Sequence, residues 1–222
     1  MPLGCSCCYP TRLSTRPSTS SNIAQKSTAP DGWQNLFDGQ SLKGWKQTEF
    51  SGGGGVKVVP NFQGGASAIV VEMGSTLSGF NWTNAVPKTN YEISLEALKI
   101  DGSDFMCGLT FPVGESYASY ILGGWGGATL GISSIDGNDA SENETTKFLN
   151  FPKNRWFKVR LRVTPTKIEA WIDEEQLVNV ETKDRKISMR PGEIENSAPL
   201  GLATYQTSSA FRAIKLRRLD AK

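Results

Sequence analysis

The segment Gly123-Gly124-Trp125-Gly126-Gly127 sets one indole among four glycines. Glycine lets the backbone take positive φ and come close to a ligand, and an indole held in the open can stack on the apolar face of a sugar ring. The same string can equally form a tight, bulged hairpin with Trp125 folded into the core. It is not a phosphate loop, because no Gly-Lys-Ser/Thr follows and no helix start is evident. A few residues on, Asp136-Gly137-Asn138-Asp139-Ala140-Ser141-Glu142-Asn143-Glu144 packs four carboxylates and two carboxamides into nine residues. Such a set can supply oxygen ligands to a calcium-type ion, although its spacing departs from the EF-hand loop. It can also be a solvated acidic loop closed by Asx turns. Extended geometry puts Glu142 and Glu144 on one side, near the separation of about 5 Å between the two carboxyls of a retaining glycosidase. Glu142, Glu144 and Asn143 are therefore the leading polar candidates. Asp104 and Glu115 flank an apolar strand, Glu72 ends another, and Trp82 lies in the loop after it. Each of these can edge a cleft or be an ordinary strand-end residue.

The chain contains no histidine. That removes the commonest general base and the commonest neutral metal ligand. A Ser-His-Asp triad and a His-ligated zinc site are both excluded. Proton transfer must rest on Asp, Glu, Lys, Tyr or Cys, and any metal on oxygen ligands. Cys5, Cys7 and Cys8 crowd the start in a spacing that fits no zinc pattern, and Cys107 stands alone in an apolar strand, as an inert core thiol would. With 24 basic and 22 acidic residues the net charge is +2, too balanced to imply nucleic acid or an anionic membrane as partner.

The elements that must position these groups read as strands. In Phe157-Lys158-Val159-Arg160-Leu161-Arg162-Val163 the apolar residues point one way and the basic ones the other. Lys167–Ile172 and Gln176–Val180 continue it as a three-stranded meander through an acidic turn at Asp173-Glu174-Glu175. Strands are also expected at Ala68–Glu72, Tyr91–Ala97, Phe105–Phe111, Tyr117–Leu122, Ala128–Ile135 and Phe211–Leu219. On the Phe105–Phe111 strand, Phe105, Cys107, Leu109 and Phe111 share one face. Glu92 and Glu96 are read as cross-strand partners of Lys158, Arg160 and Arg162, in exposed pairs worth about 0–1 kcal/mol each. Twenty-three glycines, eleven prolines and no long helical pattern point to an all-β domain with many turns.

Residues 1–30 differ: Ser, Thr and Pro dominate, and a disordered tail ahead of one domain at 31–222 is expected. Nothing there is apolar enough over sufficient length for a signal peptide or membrane helix. Leu3-Gly4-Cys5 resembles the end of a bacterial lipoprotein cleavage box. If the true start lies upstream, the protein is extracytoplasmic and lipid-anchored; if the match is chance, a cytoplasmic location is the alternative.

Three stretches carry a family resemblance. Gly32-Trp33-Gln34-Asn35-Leu36-Phe37-Asp38-Gly39-Gln40-Ser41-Leu42-Lys43-Gly44-Trp45 resembles the opening signature of the 3-keto-disaccharide hydrolase-like family. The meander at 156–180 is similar to those of laminin-G-like and concanavalin-like sandwiches, and Phe211-Arg212-Ala213-Ile214-Lys215-Leu216-Arg217-Arg218-Leu219 resembles the family's closing strand. The resemblance implies a concanavalin-like jelly-roll β-sandwich of two antiparallel sheets and a carbohydrate partner. It implies cleavage of a glycosidic bond next to a 3-keto sugar: the ketone acidifies the C2 hydrogen, a base removes it, the enolate expels the C1 oxygen, and water adds. Applied to this chain, the base would come from Glu72, Asp104, Glu142 or Glu144, with Trp125, Trp82 and Asn143 toward the sugar. A non-catalytic carbohydrate-binding or adhesion module of the same fold is the alternative. The Glu-x-Asp-x-x-Glu strand of laminarinase-type enzymes is absent.

Overall fold

The computed structural model describes Met1 and residues 31–220; the Ser/Thr/Pro-rich stretch and its Leu3-Gly4-Cys5 lie outside the described residues. Among those residues fifteen strands run in chain order: β1 (Gln34–Asn35), β2 (Trp45–Gln47), β3 (Val56–Val59), β4 (Ala68–Val71), β5 (Leu77–Trp82), β6 (Tyr91–Gly102), β7 (Cys107–Val113), β8 (Ser116–Gly123), β9 (Thr129–Ser133), β10 (Lys147–Phe148), β11 (Trp156–Val163), β12 (Lys167–Ile172), β13 (Glu175–Glu181), β14 (Gly201–Tyr205) and β15 (Thr207–Arg218). One sheet has the order β13-β12-β11-β6-β15-β4-β3, with β1 also paired to β15; the other runs β10-β9-β8-β7-β14-β5-β2. Their pairings are antiparallel throughout. This is the expected all-β sandwich, with one large core between the sheets.

The alternation in β11 fixes its orientation: Phe157, Val159, Leu161 and Val163 are buried in that core, and Lys158, Arg160 and Arg162 stand on the other face. The opening and closing signatures meet in space. Gln34 pairs with Leu216, and the Leu36 N–H donates to the Ile214 carbonyl at 2.8 Å. Asp38 accepts the Gln40 and Ser41 N–H groups, so the Asp-Gly turn closes as an Asx turn, with Gly39 at φ 77°. The chain then returns to Trp45, whose Nε1 donates to the Leu36 carbonyl at 2.8 Å. Trp45 packs edge-on against Trp82 at 5.0 Å and Phe80 at 4.9 Å. Cys107 is the inert core thiol expected; burial pushes its pKa far up.

Three sequence expectations change. Phe105 does not continue the inward face of β7: the strand begins at Cys107, Met106 takes the core position, and Phe105 turns outward to stack on Tyr205. Gly201–Tyr205, which shows little β-branched or alternating character, is strand β14 in the interior of its sheet, bonded to both β5 and β7. Pairing on two edges overrides the weak propensity of its Gly and Ala. The glutamates of β6 do pair across strands, Glu96 opposite Lys158 and Glu92 opposite Arg162, but Glu92 is not an exposed partner. Its carboxylate is fully buried and accepts Nε–H from Arg162 and from Arg217 at 2.7 Å each, with Arg160 at 3.8 Å. Arg160 in turn lies 3.8 Å over Trp171.

Removing that carboxylate leaves guanidiniums facing one another across the sheet. Glu92→Ala is expected to cost about 3 kcal/mol, the low end for a broken buried pair because the arginines remain near a third exposed. Urea unfolding measures it; a loss below about 0.5 kcal/mol would return Glu92 to the class of surface pairs.

Candidate functional site

Residues of β7, β8, β9 and β14 alternate between the core and the outer face of the second sheet. Leu109, Tyr120, Ile132 and Leu202 point inward, so Ser119, Ile121, Ser133 and Tyr205 point outward. These four floor a cleft of about 340 Å³. One wall is Trp125 with Asp104 and Phe105; the facing wall is Arg190, Pro191, Glu193 and Ile194, and Leu77 closes one end. Beneath the second wall lies an apolar cluster of Phe50, Ile194 and Ala203 with Leu77, Phe105 and Met189 around it. The cleft therefore joins an apolar base to two carboxylates, a guanidinium and a phenol.

The glycine frame of Trp125 has a specific use. Gly123, Trp125, Gly126 and Gly127 have φ of 81°, 48°, 89° and 104°, a succession that a chain of ordinary residues resists. Trp125 itself sits in the left-handed region, at a cost of about 1–3 kcal/mol. Asp104 holds the turn in that shape: one carboxylate oxygen accepts the Gly126 N–H at 3.0 Å and the other the Phe105 N–H at 2.7 Å. The Asp104 main chain is fixed to Thr207, and the buried Lys99 ammonium donates to its carbonyl at 3.5 Å, burial lowering the lysine pKa. Trp125 stays 43% exposed, which decides between the two sequence readings in favour of an indole presented outward.

The acidic loop is a wall rather than a site. Its backbone zips to the segment at 186–188 through Ser134, Ile135 and Asp136. Arg185 bridges Asp136 at 2.5 Å and Glu144 at 2.6 Å, while Arg190 reaches Asp139 at 3.0 Å. Asp139 also accepts hydroxyl protons from Ser133 and Ser134. Asn143 is a clasp: its amide donates to the Ile132, Asn138 and Asp139 carbonyls and its oxygen accepts from Thr145. Glu142 is exposed and lines no part of the cleft. Glu144 borders a separate depression with Lys147 and Gln176. Glu72 is paired with Lys57 at 2.5 Å, and Glu115 with Lys88 at 2.5 Å. Trp82 ends strand β5 instead of lying in a loop, and its ring is core packing, 7% exposed. Of the residues singled out from sequence, the structure thus brings Asp104 and Trp125 together and leaves the rest apart. Tyr205, Arg190 and Glu193 escaped notice there.

The loop acids do not fit a calcium ion. That cation takes six to eight oxygen ligands, whereas Asp136, Asp139 and Glu144 are each turned to an arginine. Among the described residues no three acidic or cysteine side chains converge on a point.

Protons act on this wall in a defined direction. The Lys186 N–H and then the Arg185 guanidinium hold the Asp136 carboxyl below its ordinary pKa, and Arg185 does the same for Glu144. A lowered folded-state pKa stabilises above the ordinary carboxylate range and is lost as pH falls through the lowered value. Arg185→Gln is expected to lower Tm at pH 7 and to leave it unchanged near pH 3, read by a thermal melt at each pH. An equal loss at both would assign Arg185 a packing role.

Residues 32–217 match the model of the 3-keto-alpha-glucoside-1,2-lyase-like domain. Several solved structures share the sandwich. A protein of Parabacteroides distasonis, provisionally described as a glycosyl hydrolase, is 17% identical with a TM-score of 0.52, over 86% of this chain and 95% of its own. The carbohydrate binding module CBM66 from Bacillus subtilis has a TM-score of 0.54 at 10% identity, over 78% of this chain and 95% of its own. Domain 4 of the extracellular arabinanase AbnA from Geobacillus stearothermophilus, solved with arabinotriose, has a TM-score of 0.50 at 12% identity, covering 80% and 84%. No curated protein matches the chain.

Proposed function

The chain belongs to the 3-keto-alpha-glucoside-1,2-lyase-like domain family, and we propose that its cleft binds a 3-keto-glycoside and cleaves the glycosidic bond beside the ketone by elimination and hydration. The observation that carries this reading is the half-open indole of Trp125 facing two carboxylates across one cleft. The sugar stacks on Trp125. Both oxygens of Asp104 are already taken by backbone N–H groups, so Asp104 serves as the brace of the platform. Glu193 has one oxygen accepting the Ser51 N–H at 3.2 Å and the other uncommitted, so Glu193 is the base.

Glu193 takes the C2 hydrogen as a proton, and the C–H electron pair becomes the enolate. The Tyr205 hydroxyl and the Arg190 N–H groups not engaged by Asp139 are the donors for the developing negative charge at the C3 oxygen. Collapse of the enolate forms the C1–C2 double bond and breaks C1–O; the leaving oxygen acquires a proton as the alcohol departs. Water then adds at C1 and a proton returns to C2, so the overall change is hydrolysis. The mechanism requires no histidine.

Incubation with 4-nitrophenyl 3-keto-α-glucoside, followed by nitrophenol release, tests the reading directly. A second reading, a carbohydrate-binding module without turnover, is favoured by one observation: of the two cleft carboxylates, Asp104 is spent on the backbone. Under it the substrate binds, Trp125→Ala abolishes the binding, and no nitrophenol appears.

A further inference from the structure

Phe148 is 77% exposed, the most open aromatic ring among the described residues. It lies on β10, the two-residue edge strand of the sheet that carries the cleft. Phe148 stands opposite Thr129, and Thr129 stands opposite Gly124 at the base of the Trp125 turn. Directly opposed residues of an antiparallel pair share a face. Leu130 and Ile132 of β9 point into the core, so Thr129 and Phe148 lie on the face that also presents Ser133 to the cleft. The Leu149 N–H donates to the Ala128 carbonyl at 2.9 Å, tying Phe148 to the tip of the same hairpin. Two open aromatic rings thus stand side by side along one edge of the sheet, with the short Thr129 side chain between them.

The next row inward is closed. The acidic loop lies over Gly131, where a Cβ would fall 2.9 Å from the Ala140 carbonyl oxygen. A chain leaving the cleft on this side has the Thr129 row as its course. From Tyr205 on β14 through β7, β8 and β9 to Phe148 on β10 there are four inter-strand gaps, about 19 Å at the usual strand spacing. That is longer than a disaccharide.

We infer that the sugar-binding surface continues from Trp125 to Phe148, and that the ligand is an oligosaccharide in which a pyranose beyond the second stacks on Phe148. This rests on the reading of the cleft given above. An isolated exposed phenylalanine on an edge strand is otherwise a liability for association; here its register beside Trp125 gives it an occupant.

The test compares 3-keto-maltose with 3-keto-maltopentaose, which place the same oxidised ring in the cleft and differ only in reach. The KM of the pentaose is expected to be about tenfold below that of the disaccharide, and Phe148→Ala is expected to erase the difference without changing kcat or the KM of the disaccharide. Equal KM for the two lengths in the unaltered protein, or a Phe148→Ala effect of the same size on both, overturns the extended path and leaves the cleft reading standing. A change in sedimenting mass on Phe148→Ala, with no change in length dependence, assigns the ring to contact between copies and also overturns it. Absence of binding and turnover for both lengths removes the cleft reading and this inference with it.

Discussion

Glu193→Gln lowers kcat on a 3-keto-glucoside by about 100- to 1000-fold, within the range expected for loss of a general base, and changes KM little. The amide keeps the shape of the side chain and the contact with the Ser51 N–H but cannot accept the C2 proton. Glu193 is favoured over the other acids by position and by freedom. Glu72, Glu115 and Glu144 are paired with Lys57, Lys88 and Arg185, and Glu142 lines no part of the cleft. Asp104 is in the cleft but bonded to the Phe105 and Gly126 amides. Its substitution by Asn therefore acts on the Trp125 platform and raises KM, whereas Glu193→Gln acts on kcat. Steady-state kinetics with a far-ultraviolet dichroism control separates the two. Full turnover by Glu193→Gln would remove that residue from the chemistry.

The second large effect concerns the tryptophans. Trp82→Ala is expected to destabilise the fold by about 3–5 kcal/mol, because the ring is 7% exposed and packs against Trp45 at 5.0 Å. Trp125→Ala is expected to leave the urea midpoint nearly unchanged and to abolish measurable sugar binding. The change even relieves part of the conformational cost of a bulky residue at φ 48°. A stable Trp82→Ala with weakened sugar binding would place that ring in a site after all.

The framework was legible in the sequence because burial enforces period two. The run from Phe157 to Val163 can bury its apolar side in only one register, and the flanking Trp45 and Leu36 can only be satisfied together. The glycine-framed Trp125 was legible as a platform candidate for the same local reason: such a turn needs glycine wherever it lies. What the sequence concealed was partnership across distance. Nothing local says that Asp104 accepts from Gly126 rather than standing free, or that Arg185 and Arg190 claim Asp136, Asp139 and Glu144 from a segment some fifty residues on, as Arg185 does for Asp136. The acidic loop looked like a site because its charges were visible and their counter-charges were not recognisable as such. Tyr205 was missed for a related reason. Its strand is short and small-residued, and its outward face becomes visible only once β5 and β7 are known to flank it.

The C2 hydrogen is the point on which the account turns. Following a 3-keto-glucoside in deuterium oxide by proton magnetic resonance reports whether that hydrogen is lost during cleavage. The account predicts that the released 3-keto sugar carries deuterium at C2, and that Glu193→Gln abolishes both the exchange and the release. Release of a product that has retained its original C2 hydrogen would contradict it.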